Sequence, residues 1–180
     1  MRLFIAANFD DNVKQQIISL QEQLRARSVR GNFSRPENLH VTLAFLGETQ
    51  EEKLSALLNI IDSVQTPPFE IVFDRTGCFR RASRHHGRAG ELWWLGAQPH
   101  AAGLAELTAI QKQLVHSLEA EHFYVDKKPF NAHITLAHEI ISHSPIILNC
   151  PPIPVKVEHI SLMKSEYIHG VLTYTEIKRS

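Results

Sequence analysis

Asn38-Leu39-His40-Val41-Thr42-Leu43 returns 93 residues later as Asn131-Ala132-His133-Ile134-Thr135-Leu136. Side chains alternate across a β-strand, so residues two apart share a face: His40 lies with Thr42, and His133 with Thr135. Val41, Leu43, Ile134 and Leu136 then point the other way, where a packed sheet needs apolar groups. With 11 histidines and 43% hydrophobic residues in the chain, bulk composition yields roughly 0.2 His-x-Thr-hydrophobic matches. Either copy alone reads as an ordinary strand histidine beside a β-forming threonine. Two copies in similar apolar strands predict more: strands side by side, with two imidazoles and two hydroxyls converging on one cleft. That cleft is a small acid–base site with hydrogen-bond donors for an anion.

Working outward, Leu3 to Phe9 is a short apolar run that predicts a buried strand. Asp10 and Asp11 offer an N-cap to a helix in which Val13, Ile17, Leu20 and Leu24 recur at helical spacing, with Lys14, Gln15, Gln21 and Glu22 on its other faces. Gly31 and Ser34-Arg35-Pro36 break the pattern ahead of the first motif strand, Leu39 to Leu46. Thr49-Gln50-Glu51-Glu52 fits a capping box, opening a helix through Leu54, Leu57, Leu58 and Ile61 that Pro67-Pro68 stops. Phe69 to Phe73 alternates as a strand and continues toward Cys78-Phe79. Arg75, Arg80, Arg81, Arg84 and Arg88, with His85-His86, predict an exposed loop. Its plain reading is a solvated charge run; its functional reading is a guide for a polyanion.

Glu91 to Gly96 predicts another strand, and about Ala102 to Glu121 a second long helix with Leu104, Leu107, Ile110, Leu114 and Leu118 on one face. Phe130 to Ala137 carries the second motif. Val155 to Met163 and Val171 to Ile177 alternate as strands, the latter entered across a His169-Gly170 turn. Strand, helix, His-x-Thr strand, further strand therefore occurs twice: Leu3 lies 37 residues before His40, and Leu92 lies 41 before His133. The order predicts an α+β protein with a bilobal duplicated fold. Residues 1–180 form a single two-lobed domain, with two antiparallel sheets facing a central cleft and helices packed on the outside.

The bulk numbers bound the function. The formal net charge is zero and the pI about 7.2, so there is no global basic field to hold long nucleic acid nonspecifically. No apolar run reaches the length of a membrane span, and Met1-Arg2 leads into a strand, so the expectation is a cytoplasmic protein without membrane contact. Cys78 and Cys150 lack C-x-x-C spacing and read as packing residues.

A pair of imidazoles suits a reaction that needs a base and an acid near neutral pH, since an unperturbed histidine titrates near 6.5. Threonine hydroxyls can donate to non-bridging phosphate oxygens, and a protonated histidine stabilises developing negative charge. Phosphodiester cleavage without a metal or other cofactor fits this equipment. Acyl transfer fits poorly, because the chain has no Gly-x-Ser-x-Gly elbow.

The stretches Arg35-Pro36-Glu37-Asn38-Leu39-His40-Val41-Thr42-Leu43-Ala44-Phe45-Leu46-Gly47-Glu48 and Lys128-Pro129-Phe130-Asn131-Ala132-His133-Ile134-Thr135-Leu136-Ala137 closely resemble the two-histidine phosphoesterase superfamily. Within it the resemblance is to the bacterial and archaeal RNA 2′,3′-cyclic phosphodiesterases, formerly described as 2′-5′ RNA ligases. Arg2-Leu3-Phe4-Ile5-Ala6, Leu92-Trp93-Trp94-Leu95-Gly96 and the closing strands extend it over nearly the whole chain. The resemblance implies metal-independent opening of a terminal 2′,3′-cyclic phosphate to a 2′-phosphomonoester, with His40 and His133 as the acid–base pair and Thr42 and Thr135 binding phosphate. Which histidine plays which role is left open. Implied partners are RNA with cyclic phosphate ends or small cyclic nucleotides, met by a monomer engaged in RNA processing.

One position departs from the pattern. Many members carry an arginine five residues after the second histidine, where this chain has His138, shorter and charged only at lower pH. Arg80 and Arg84 of the arginine-rich stretch are candidates to compensate. The rival readings are a non-catalytic module binding RNA ends or nucleotides, and a metal site among His133, His138, His143 or His85-His86. The paired threonines disfavour the first. No compact ligand spacing supports the second, and strict alternation puts His133 and His138 on opposite strand faces. Weak ligation to 2′-5′ linkages is the reverse of a related cleavage. Of Trp93 and Trp94, alternation lets only one line a cleft as a stacking surface.

Overall fold

The computed structural model describes residues 1–81, 90–126 and 128–180; Arg84, His85, His86 and Arg88 lie outside the described residues. In chain order the elements are β1 (Arg2–Asn8), α1 (Asp11–Arg27), β2 (Arg30–Phe33), β3 (His40–Glu48), α2 (Leu54–Ser63), β4 (Phe69–Phe73), β5 (Arg75–Arg81), β6 (Gly90–Gly96), α3 (Leu104–Ala120), β7 (His133–Ile141), β8 (Ile153–Val157), β9 (Ser161–Ile168) and β10 (Val171–Arg179). The described residues form two antiparallel sheets. The larger has eight strands in the order β10-β9-β1-β3-β7-β6-β5, with β2 also on β7; the smaller is β4 against β8.

The motif strands β3 and β7 meet at one residue pair, Val41 opposite Ile134. Beyond that rung β7 gives the same edge to β2, whose Asn32 and Phe33 face His138 and Ala137. The large sheet is thus two halves joined at a narrow seam: β10-β9-β1-β3 on one side, and β7, β6, β5 and β2 on the other. These halves are the two lobes expected from the repeat. The small sheet was not foreseen, because Val155 to Met163 reads as one strand; it is β8 in the small sheet and β9 in the large one, parted at residues 158–160.

The three helices of the described residues supply apolar stripes to a common core. Asp10 caps α1 by accepting from the Val13 N–H at 2.8 Å, and Val13, Ile17, Leu20 and Leu24 are buried, each worth roughly 1.5–3 kcal/mol on burial. Leu107, Ile110, Leu114 and Leu118 do the same for α3. They pack on Leu3, Ile5, Val41, Leu43, Ile134 and Leu136 of the strands. The opposite face of the sheet keeps a smaller cluster of Phe4, Ala6 and Met163 with Tyr174.

Both motif strands bulge immediately after the threonine. Ile5 and Ala6 of β1 face Ala44 and Thr42, skipping Leu43; Trp93 and Trp94 of β6 face Ala137 and Thr135, skipping Leu136. A skipped residue leaves its carbonyl off the ladder, and a buried carbonyl needs a donor. Gln21 of α1 donates to the Leu136 carbonyl at 2.8 Å, joined there by the Ser34 N–H. Gln111 of α3 reaches the Leu43 carbonyl at 3.4 Å. Gln21 is accordingly 5% exposed, although helical spacing places it off the apolar face.

Two further expectations are corrected. Thr49 does not cap a helix: its N–H donates to the Met1 carbonyl, extending the β1–β3 ladder, and residues 51–53 form a 3-10 turn before α2 without a side-chain cap. Arg75, Arg80 and Arg81 are not in a loop. They belong to β5, which pairs with β6 from Arg75 opposite Gly96 to Arg81 opposite Gly90. The His169-Gly170 turn is as expected, with φ of 51° and 79°, the left-handed pair of a two-residue hairpin.

Candidate active site

His40 opens β3. Its Nδ1 lies 2.8 Å from the Asn38 carbonyl; a carbonyl only accepts, so Nδ1 carries the hydrogen and Nε2 is the basic nitrogen. Nε2 accepts from the Thr42 hydroxyl at 2.9 Å. The ring is enclosed between Phe4, at 4.9 Å between centres, and Tyr174, at 5.4 Å. Burial among these rings lowers the His40 pKa to about 4, outweighing the Asn38 carbonyl, and the charge of His133 lowers it further. His40 is therefore neutral at neutral pH.

His133 opens β7 in the same way. Its Nδ1 donates to the Asn131 carbonyl at 2.7 Å, which fixes the same tautomer and leaves Nε2 as the basic nitrogen. Thr135 stands two residues on, across from Trp94. Phe79 meets the His133 ring edge-on, 6.0 Å between centres at 89°. Two imidazoles in matched tautomers, each beside a threonine, occupy the seam between the halves of the sheet.

A family profile described as LigT like phosphoesterase matches residues 9–87. An RNA 2′,3′-cyclic phosphodiesterase of Archaeoglobus fulgidus is 33% identical over 137 residues, 76% of this chain and 71% of the relative. One of Escherichia coli K12 is 30% identical over 185 aligned residues, 99% of this chain and 94% of the relative. The chain belongs to the LigT-like phosphoesterase family. A crystal structure of E. coli LigT complexed with 3′-AMP superposes with a TM-score of 0.81 at 28% identity, covering 99% of this chain and 96% of that one.

In this LigT-like phosphoesterase the bulge after Thr135 changes the face of the residues beyond it. Ala137 is turned to the core opposite Trp93, so His138 falls on the face of His133 and Thr135. The expectation of opposite faces fails because strict alternation stops at the skipped Leu136. The same device in β3 brings Phe45 onto the face of His40 and Thr42, where all three line a cavity of about 190 Å³ with Arg2, Phe4 and Tyr174. Arg80 is not brought to the site. It pairs with Glu91 at 3.3 Å and shares a separate cavity with Cys78 and Trp93, on the sheet face opposite Phe79. Arg84 lies outside the described residues. Trp94 takes the cleft face and Trp93 the core.

Sequence reasoning missed the Asn38 and Asn131 carbonyls, although Asn-x-His is present in both copies; the working atoms are backbone and carry no residue signature. It also missed Phe4 and Tyr174, which come to His40 only through strand pairing. Among the described residues no three His, Cys, Asp or Glu side chains cluster to hold a metal ion.

Proposed function

We propose that this protein hydrolyses terminal RNA 2′,3′-cyclic phosphates, and small cyclic nucleotides, to 2′-phosphomonoesters without a metal ion. The observation that carries the reading is the matched pair of tautomers: Asn38 and Asn131 carbonyls hold both Nδ1 atoms, so Nε2 is the basic nitrogen of each ring and trades protons with substrate once the Thr42 hydroxyl turns from His40 to the phosphate. One Nε2 takes a proton from water as its oxygen bonds to phosphorus. The P–O3′ bond breaks, and the other ring gives its proton to O3′. The phosphate anion itself favours the protonated form of His40 on binding. Thr42 and Thr135 hydroxyls donate to the non-bridging oxygens, which gather charge in the transition state. The relatives' name, RNA 2′,3′-cyclic phosphodiesterase, supports the substrate class, and His138 joins the phosphate side of the cleft.

The reading extends to a cytoplasmic monomer working as a single two-lobed domain, since both halves of the site come from one chain. No helix among the described residues is long and apolar enough to cross a membrane. The test is incubation with excess chelator and a short RNA ending in a 2′,3′-cyclic phosphate, beside His40→Ala and His133→Ala. A 2′-phosphate product lost in both variants is expected. Binding without turnover would replace hydrolysis with an RNA-end binding role, and turnover abolished by chelator would remove the metal-independent chemistry.

A further inference from the structure

Asn38 holds two parts of the molecule at once. Its backbone carbonyl accepts from His40 Nδ1 at 2.8 Å, and its side-chain Nδ2 donates to the Leu172 carbonyl of β10 at 3.0 Å, across 134 residues of sequence. β10 is an edge of the large sheet. In a two-residue hairpin the closing pair, here Ile168 opposite Val171, exchanges both ladder bonds, so the next residue, Leu172, turns its N–H and carbonyl away from β9. Asn38 supplies the donor that a further strand would otherwise bring. Leu172 and Tyr174, two residues apart, share a face; both line the His40 cavity, and Asn38 does not. The strand that walls the imidazole therefore also anchors the residue that orients it.

The sheet itself does not hold the Asn38 carbonyl. β3 joins β1 only from His40, opposite Asn8. Asn38 ends a 3-10 turn over Pro36–Asn38, and the tie of that turn to the Arg35 carbonyl, at 2.9 Å, uses the Asn38 N–H. The second copy is built differently. Asn131 offers His133 the same carbonyl, yet it is exposed, and among the described residues no hydrogen bond holds its side chain. A group bonded to one imidazole nitrogen sets which nitrogen is basic and where the ring points. We propose that Asn38 is a positioning residue for the cyclic phosphodiesterase reaction: its side chain fastens to β10 the carbonyl that holds His40 Nδ1, and so keeps His40 in the tautomer whose basic Nε2 meets the substrate. This rests on the hydrolytic reading above. Asn38 touches no reacting atom and acts through His40. With the amide removed, the carbonyl swings, the two ring nitrogens compete for one hydrogen, and part of the population presents Nε2–H, which cannot accept a proton.

The experiment compares the parent protein with Asn38→Leu, close to asparagine in shape but without a donor, and with Asn38→Ser, smaller and polar, which serves if the leucine variant does not fold. Nitrogen-15 NMR of the His40 ring at neutral pH, assigned by the signals absent from His40→Leu, reads the tautomer, and adenosine 2′,3′-cyclic phosphate is the substrate for kinetics. The expected result is a fixed Nδ1–H tautomer in the parent, the two nitrogen resonances drawn together in the variants, and kcat lowered about 10- to 100-fold with KM unchanged. A lower melting temperature with the parent's tautomer and kcat would make Asn38 an edge cap for β10 alone and overturn the proposal. A raised KM at full kcat would overturn it too, by making the side chain a substrate contact. A parent inert on the cyclic nucleotide would remove the hydrolytic reading; the NMR then decides the positioning role by itself, upheld by exchanging tautomers in the variants and overturned by a fixed one.

Discussion

Gln21 donates to the carbonyl oxygen of Leu136 at 2.8 Å, tying the first helix to the second motif strand across 115 residues of sequence. The same amide donates to the Ser34 carbonyl at 2.8 Å. Gln21→Met keeps the shape of the side chain but removes both bonds, leaving the half-buried Ser34 carbonyl and the buried Leu136 carbonyl without this donor. Urea unfolding should show a loss of about 1–3 kcal/mol. A variant as stable as the parent would mean that the bulge holds its own geometry.

Each motif histidine should be indispensable and the pair non-additive. His40→Ala or His133→Ala is expected to lower kcat about 10²–10⁴-fold, and the double variant to fall little further, because the two rings act in one step. Multiplying losses in the double variant would mean that the rings serve separate steps.

The free enzyme should stay active to unusually low pH. With His40 held at about 4, the pair gains its second proton only near there, so the acid limb of kcat/KM should lie near pH 4 instead of 6.5. This holds whichever ring is the base, because the profile counts protons on the pair. A limb near 6.5 with a non-titrating substrate would contradict the enclosed ring.

The same burial makes stability depend on pH. His40 has a pKa of about 4 folded against about 6.5 unfolded. Between those values the unfolded chain binds more protons, so stability falls as pH drops from 6.5 to 4 and is level, for this group, above 6.5. The loss should reach about 2–3 kcal/mol and should disappear in His40→Leu, measured by denaturant titration at both pH values.

Tyr174 supplies one wall of the enclosure. In Tyr174→Ala water reaches the imidazole, and proton NMR should place the His40 titration above that of the parent, with the acid limb of kcat/KM moving up beside it. An unchanged titration would assign the low value to Phe4 alone.

Much of this was legible because alternation and repetition are local. The two His-x-Thr faces, the helix stripes of α1 and α3, the Asp10 cap and the His169-Gly170 hairpin follow from residues within a turn or a strand of each other. The features that escaped depend on pairing between distant strands. A bulge is a relation between two strands, so the face of His138 could not be read from β7 alone. Gln21 looked solvent-facing because only the skipped Leu136 carbonyl explains its burial. Thr49 resembled a cap until the Met1 carbonyl claimed it, and Arg75 and Arg80 looked like loop residues until β6 paired beneath them. The enclosure of His40 joins β1, β3 and β10, three segments that are far apart in the chain.

The seam at Val41 and Ile134 has a mechanical consequence. A single rung resists twisting far less than a full ladder does, so few backbone bonds fix the spacing of the two imidazoles. On the proposed reading, a phosphate held between the two histidines would close a loop through His40, phosphorus, His133 and back along that rung. Substrate would then brace the sheet as well as react, and amide exchange at residues 41 and 134 should slow when a non-hydrolysable phosphate analogue is bound.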